Sequence, residues 1–305
     1  MKTLAMFAAM VIGFFCPWAE AFNFLIPWLI VVMMFLAMLR MKISFRSFRP
    51  AHLRIFAVNI LIALGAWGIM LMTQDQMLAE TAFYLGVAPT ATATPVVVTL
   101  LGGRGDYAIG SFVITNFGVA LLLPLLIPLV SGSDAPSLFF SVVRSVLLLV
   151  CGPLVAARIV AALLKEKLPS AAVMVRVSFV IWIINVFLII ANASAYVRSR
   201  SAEISTSTFV IIALMSLLIC ALNFFIGRFL DKPGFRLEAS QSLGQKNTSL
   251  TLFLAFQYAM NPLVALGPAF YVAWHNTWNA IQLALAEREK KHHNVSVTLE
   301  KSPPK

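Results

Sequence analysis

Two polar clusters interrupt apolar stretches of this chain, and both hold residue types that can bind a charged ligand. Residues 88–103 read APTATATPVVVTLLGG, and residues 242–248 read SLGQKNT. Hydrocarbon offers no partner to a freed backbone group, so a broken helix persists in a membrane only when it is buried in protein or lines a wet cavity. The sequence therefore predicts two unwound helices. The candidate residues of the first are Thr90, Thr92 and Thr94, with Pro89 and Pro95 as the helix breaks.

Lys246 is the most unusual residue of the second cluster, because a lysine inside a membrane is costly unless it is paired or hydrated. Two interpretations stay open. Its side chain reaches the interface, or its ammonium lies in a polar cavity, facing an anionic substrate or replacing a bound cation. Gly244 supplies freedom to unwind the helix. Further candidates for binding are Ser242, Asn247 and Thr248.

Three further polar residues lie in neighbouring apolar stretches: Asn59, Thr115 and Asn116. They either contact the substrate or an ion, or they hydrogen bond between helices. Asn116 is the more unusual, because serine and threonine can bond to carbonyls of their own helix.

The ends of half-helices determine which ligands such a site favours. N-terminal ends carry partial positive charge and C-terminal ends partial negative charge, so two crossing broken helices can hold an organic anion beside a cation. No catalytic residue is needed, and the sequence contains no HExxH, GxSxG or CxxC motif. The three cysteines are widely spaced within apolar segments, so neither a metal site nor a disulfide framework is expected. The chain is not expected to be an enzyme.

The composition is that of a multi-pass membrane protein. The chain has 305 residues, of which 60% are hydrophobic and 11% charged, whereas a soluble domain has about 25% charged residues. The net charge of +11 comes from cations in short loops between apolar segments. This pattern indicates membrane topology and a lipid bilayer as partner, with no nucleic acid.

The lengths of the apolar segments predict ten spans, since about 20 apolar residues cross a bilayer. They cover residues 3–16, 24–40, 52–73, 78–103, 107–131, 137–164, 171–196, 204–230, 237–259 and 262–286. Spans four and nine are the broken ones. Since each set of five has an odd number of spans, the second set must be inverted relative to the first. The expected fold is all-α, with repeats at residues 1–131 and 132–286 and a tail at 287–305.

The distribution of cations predicts that both termini are cytoplasmic. The predicted inner loops contain Arg40, Lys42, Arg46, Arg49, Arg104, Lys165, Lys167, Arg228, Lys232 and Arg236. The predicted outer side carries Glu20, Asp75, Glu80 and Asp134, with Arg198 and Arg200 as exceptions. We expect a bacterial inner membrane protein.

Three local patterns resemble the bile acid:sodium symporter family. PTATATPVVVTLLGGRGD is similar to that family's fourth helix and the turn after it. PWAEAFNFLIPWLIVVMMFLAMLRMKIS is similar to its opening helical pair, and GQKNTSLTLFLA to its ninth helix. The resemblance implies crossing helices four and nine. It also implies a core domain of spans three to five and eight to ten, a panel domain of spans one, two, six and seven, and alternating access. The implied substrates are organic anions such as bile acids, sulfated steroids, pantoate-like acids and keto acids, moved with sodium.

The sequence departs from that family where sodium would bind. The resemblance places Ser242 at the family's ion-binding glutamate, Lys246 at a glutamine ligand, and Pro95 at an asparagine ligand, with Thr94 at the neighbouring serine. An ammonium group and a sodium ion repel each other strongly in a low-dielectric site. We therefore expect no cofactor and a sodium-independent or proton-coupled carrier, with sodium binding left as an alternative. Glu238, one helical turn from Ser242, could restore the missing carboxylate.

Two other functions stay open. An efflux carrier with broken helices is one, although the first break lacks the cysteine on which arsenite carriers depend. A membrane sensor that has kept the fold without transport is the other. The sequence does not identify the anion, the direction of transport or the oligomeric state.

Overall fold

The computed structural model describes residues 2–39, 47–132, 136–199 and 205–300, and within these ranges it contains helices and no strand. The first half has α1 (Lys2–Phe15), α2 (Ile26–Leu39), α3 (Pro50–Leu71), α4 (Gln76–Val87), α5 (Thr94–Leu100) and α6 (Gly105–Ser131). The second half has α7 (Pro136–Val146), α8 (Gly152–Leu164), α9 (Ala171–Ser199), α10 (Thr206–Gly227), α11 (Arg236–Gly244), α12 (Thr248–Tyr258) and α13 (Leu266–Glu300).

Short helical turns of other types complete several of these helices. A 3₁₀ segment at Pro17–Leu25 leads directly into α2, and a π-helical turn at Leu147–Cys151 joins α7 to α8. Two further 3₁₀ turns, Pro233–Phe235 and Pro262–Ala265, precede α11 and α13. Gly132 ends α6 in the left-handed conformation, with φ of 65°, which glycine adopts without steric cost.

Six helical segments in the described part of the chain are long and apolar enough to cross a membrane. They are Pro17–Leu36, Pro50–Leu71, Gly105–Ser131, Pro136–Leu164, Arg176–Tyr196 and Thr206–Gly227. The sequence therefore encodes a helical protein of multi-pass membrane type. The other predicted spans have shorter or more polar helices. α1 has 14 residues, which is about 21 Å of helix, and a bilayer core is about 30 Å thick.

Both predicted interruptions are present, and each divides one predicted span into two short helices. Residues 88–93 separate α4 from α5, and residues 245–247 separate α11 from α12. The predicted breaks, residues 88–103 and 242–248, were therefore longer than the observed ones. Pro95 lies in the first turn of α5, where a missing N–H and a fixed φ fit a helix start. Ser242 and Gly244 are still helical, at the end of α11.

Of the short helices, most of α4, most of α11 and the start of α12 are enclosed by protein, whereas α5 exposes Val96 and Leu100. Residues 79–90 and 238–252 are buried without interruption. By contrast, the long helices expose apolar side chains outward, among them Leu61, Leu121 and Leu218. Residues 88–90 and 245–247 of the two breaks are therefore surrounded by protein, as irregular backbone within a membrane requires.

α13 continues through Glu300, so the predicted boundary of the tail at residue 287 does not end a helix. The sequence around it, ALAEREKK at 284–291, consists of strong helix formers. Several residues used to predict topology lie outside the described residues: Arg40, Lys42, Arg46, Asp134 and Arg200.

Candidate functional site

The two interruptions contact each other through their backbones. Thr90 and Lys246 form an antiparallel bridge pair. The Ala91 N–H donates to the Gln245 carbonyl at 2.9 Å, and the Asn247 N–H donates to the Pro89 carbonyl at 2.7 Å. Each break thus satisfies backbone groups that the other leaves free. We call this contact, residues 88–91 with 245–247, the crossing.

Thr90 connects the crossing to α6 and α11. Its hydroxyl donates to the Ser242 carbonyl at 2.7 Å and accepts from the Thr115 hydroxyl at 2.9 Å. Its backbone N–H donates to Thr115 Oγ1 at 3.1 Å, and its carbonyl accepts from Asn116 Nδ2 at 2.9 Å. Three of the predicted residues, Thr90, Thr115 and Asn116, therefore do meet, and much of their hydrogen-bonding capacity serves the unwound backbone.

Lys246 points into the protein and does not reach an interface. Only 2% of its surface is exposed. Its Nζ donates to Asn59 Oδ1 of α3 and, at 3.2 Å, to the carbonyl of Gly86 in the last turn of α4. The C-terminal end of a helix carries partial negative charge, which favours an ammonium there. The interpretation in which Lys246 reaches the interface is wrong.

Among the described residues, the hydrogen-bond acceptors of the Lys246 side chain are both neutral. Within the described ranges, the ion pairs are those of Arg49 and Arg54 with Asp231, and none includes Lys246. Asn59 also donates through Nδ2 to the Val87 carbonyl at 3.2 Å, so one amide joins the ammonium to the end of α4. The structure thus places a buried lysine at the crossing, with no carboxylate partner among the described residues.

Three buried oxygens around the first break have no hydrogen-bond partner among the described residues. They are Ser111 Oγ, Asn116 Oδ1 and Ser242 Oγ. A buried polar atom without a partner costs about 1–3 kcal/mol. Each of these oxygens therefore retains hydrogen-bonding capacity for a water molecule, an ion or a polar substrate group.

Asn247 and Thr248 begin α12. Asn247 Oδ1 accepts from the Leu250 N–H at 3.5 Å, while its Nδ2 lies 3.6 Å from the sulfur of Met34 in α2. A thioether is a weak acceptor, so this amide retains donor capacity toward α2. Thr248 is buried, and its N–H donates to the Lys246 carbonyl at 2.9 Å.

Other predicted residues have local or structural roles. The Thr94 hydroxyl donates to the Ala91 carbonyl at 2.8 Å, and Thr92 is half-buried in the turn before α5. Gly244 does not supply the unwinding, because it is helical. A Cβ there would lie 2.3 Å from the ring of Phe224, so a glycine is required by the close approach of α10.

Glu238 does not replace the missing carboxylate at the crossing. It is buried at the start of α11, where its Oε1 accepts from the Arg104 N–H at 2.9 Å. It thereby stabilises the turn that precedes α6.

Sequence reasoning missed two residues that support the crossing. Tyr271 of α13 donates its hydroxyl to the Gly244 carbonyl at 2.8 Å. Gly86 contributes the carbonyl that Lys246 binds, and its lack of a side chain lets α4 approach Ala63 of α3, whose Cα would lie 2.4 Å from a Cβ at this position. A single sequence contains no signal for either contact.

No protein-family model matches the chain, and no curated protein matches it. The local resemblance to the bile acid:sodium symporters is therefore carried by the quoted motifs alone.

Proposed function

We propose that this protein is a secondary active transporter of a small organic anion, working by alternating access and similar in design to the bile acid:sodium symporters. The observation that carries the proposal is the crossing, two interrupted helices that meet inside the protein with a buried ammonium between them. Paired broken helices are the recurrent way in which transporters build a substrate site.

In this proposal Lys246 stands where another carrier would bind a cation. Its ammonium lies among a side-chain amide oxygen and a helix C-terminal carbonyl, which are oxygen ligands that a bound cation would also use. A second cation close by would be repelled. Because this ammonium has no carboxylate partner among the described residues, it favours a substrate carboxylate or sulfate. Transport would then be independent of sodium or coupled to protons.

The proposed moving parts are the two sets of helices implied by the ten-span inverted repeat. α1, α2, α8 and α9 pack on one another, and α10, α11 and α13 form a second group around the crossing, which supports a panel and a core. α7 belongs to predicted span six of the panel and α12 to predicted span nine of the core, and Tyr258 of α12 connects the two. Its hydroxyl lies 2.7 Å from Ser145 Oγ of α7 and donates to the Ser141 carbonyl at 2.8 Å. These bonds must open if the panel moves against the core.

Uptake into proteoliposomes tests the proposal. The purified protein is first screened for thermal stabilisation by keto acids, pantoate-like acids and sulfated steroids. The best ligand is then followed in counterflow with and without a sodium gradient. We expect uptake without sodium, and we expect Lys246→Gln to lose it at least about tenfold, the equivalent of 1.4 kcal/mol, or to become sodium-dependent. Strict sodium dependence of the unmodified protein contradicts the role given to Lys246.

A membrane sensor is the second candidate. The hydrogen bonds of the crossing favour it. The two breaks pair their backbone groups with each other and with Asn116, and these bonds hold the breaks together in a closed arrangement. Binding of an anion without counterflow supports the sensor and contradicts the transporter.

A further inference from the structure

A second positively charged site lies away from the crossing, where two guanidinium groups share one aromatic ring. The guanidinium carbon of Arg49 lies 3.9 Å from the ring centroid of Phe235, and that of Arg104 lies 4.4 Å from it. Tyr107 stacks on the same ring, with centroids 5.4 Å apart. We call Arg49, Arg104 and Phe235 the arginine pair site.

The two carboxylates near this site, those of Asp231 and Glu238, already have hydrogen-bond or ion-pair partners. Asp231 Oδ2 accepts from Arg49 Nε at 3.2 Å, and Asp231 Oδ1 lies 3.9 Å from Arg54. Glu238 bonds to the backbone of Arg104, not to its side chain. Among the described residues the guanidinium of exposed Arg104 has no carboxylate partner.

Two further exposed cations are close to Phe235 in the sequence: Lys232 lies three residues before it and Arg236 follows it directly. The two guanidinium groups at one ring repel each other, and a bound anion offsets that repulsion. Guanidinium groups match phosphate oxygens with two parallel hydrogen bonds. The chemistry of the site therefore suits a phosphate group.

The position of the site indicates where that phosphate comes from. It is formed by the start of α3, the start of α6 and the turn after α10, which are ends of three of the segments long enough to cross a membrane. Exposed apolar side chains follow on the same elements: Leu53, 60% exposed, lies in the first turn of α3, and Phe229, 59% exposed, lies two residues after α10. A cationic cluster at the ends of long apolar helices fits a phospholipid, with its phosphate on the arginines and its chains along the helices.

We propose that the arginine pair site binds the headgroup phosphate of an anionic phospholipid. By binding both arginines, the lipid phosphate would connect the start of α3 to the start of α6, beside the α10–α11 connection. The proposal does not depend on what the crossing transports.

Lipid-dependent thermal stability tests this site. The full-length protein in neutral detergent is titrated with short-chain phosphatidylglycerol, with short-chain phosphatidylcholine, and with inorganic phosphate. We expect phosphatidylglycerol alone to raise the melting temperature at low concentration. Arg104→Gln should raise the half-saturating concentration of phosphatidylglycerol about tenfold, because it removes a guanidinium that makes charge-assisted hydrogen bonds to the phosphate.

Arg176→Gln is the matched control, because it removes an exposed cation from α9, outside this site. It should leave the titration unchanged. If Arg104→Gln does not fold, Phe235→Leu keeps both charges and removes the ring that holds them, and it should also weaken the response. Equal responses of Arg104→Gln and the unmodified protein overturn the proposal. So does equal stabilisation by phosphatidylcholine, and stabilisation by inorganic phosphate identifies a free-anion site instead.

Discussion

At the scale of single residues, the crossing depends on side chains chosen for size as much as for charge. The Lys246 side chain is long enough for its Nζ to reach two acceptors, the amide oxygen of Asn59 and the carbonyl of Gly86. Gly244 needs to have no side chain at all, because the Phe224 ring occupies that space. We expected Gly244 to unwind the backbone. In the structure it is helical, and its lack of a side chain lets α11 pack closely against α10.

Gly244→Ala should destabilise the protein by about 1–3 kcal/mol, the usual cost of forcing extra volume into a packed interior. The measurement is thermal unfolding in detergent. Gly65→Ala is the control, since nothing lies within 4 Å of a Cβ at that helical position. It should be neutral or stabilising by up to about 1 kcal/mol. If the two variants unfold at the same temperature, close packing does not explain Gly244.

At the scale of elements, two interrupted helices are stable because each supplies what the other lacks. α4 and α11 end where their last carbonyls would be free, and those carbonyls accept from Lys246, Asn59 and Tyr271. The breaks then pair with each other through two backbone hydrogen bonds. Because each break depends on the other for these bonds, the helices on both sides of the crossing, α4 with α5 and α11 with α12, should act as one unit.

Thr90→Val tests this joint, because valine keeps the shape of threonine and removes its hydroxyl. The Ser242 carbonyl would lose its donor, and Thr115 would lose an acceptor. A loss of about 1–3 kcal/mol in unfolding free energy is expected for a buried group left unpaired. Thr99→Val is the control: the hydroxyl of Thr99 is exposed and bonds to the carbonyl of Pro95 in its own helix. Equal effects of both variants would show that the crossing does not depend on Thr90.

At the scale of the whole molecule, long apolar helices surround a polar centre. The outward faces are apolar and the centre contains Lys246 and several hydroxyl and amide groups, which reverses the usual polarity of a soluble protein. Outside the spans, Asp231 joins the start of α3 to the connection between α10 and α11 through Arg49. Burial alone would raise the pKa of Asp231, but the hydrogen bond from the Lys232 N–H and the charge of Arg49 hold it below its ordinary value.

This pKa direction predicts how the stability of the protein depends on pH. A carboxyl whose pKa is depressed in the folded state contributes stability above its unfolded pKa, about 3.9 for aspartate, and loses it as the pH falls through the folded value. The difference in melting temperature between the unmodified protein and Asp231→Asn should therefore be largest near neutral pH and shrink below about pH 4. Asp106→Asn, which changes an exposed aspartate of α6 outside these ion pairs, is the control. A difference that stays constant across this pH range would contradict the role of the carboxylate.

The sequence by itself determined the class of protein and the places where two helices are interrupted. Both follow from local properties: apolar composition favours a membrane, and a cluster of prolines and polar residues within an apolar segment marks a candidate break. A proline alone is not enough, since Pro124 and Pro128 lie inside α6 without ending it. The sequence also selected Thr90, Thr115, Asn116, Asn59 and Lys246, because polar groups in apolar segments are conspicuous.

Only the tertiary structure decided which groups these residues bind. The Thr90 hydroxyl bonds to a carbonyl 152 positions away, and Lys246 to an amide 187 positions away. Partners at such separations leave no periodic or compositional trace in one sequence, so the orientation of Lys246, the limits of each break and the packing role of Gly244 could not be derived from it. They follow from how the helices pack, because a buried polar group binds whichever partner that packing brings within reach.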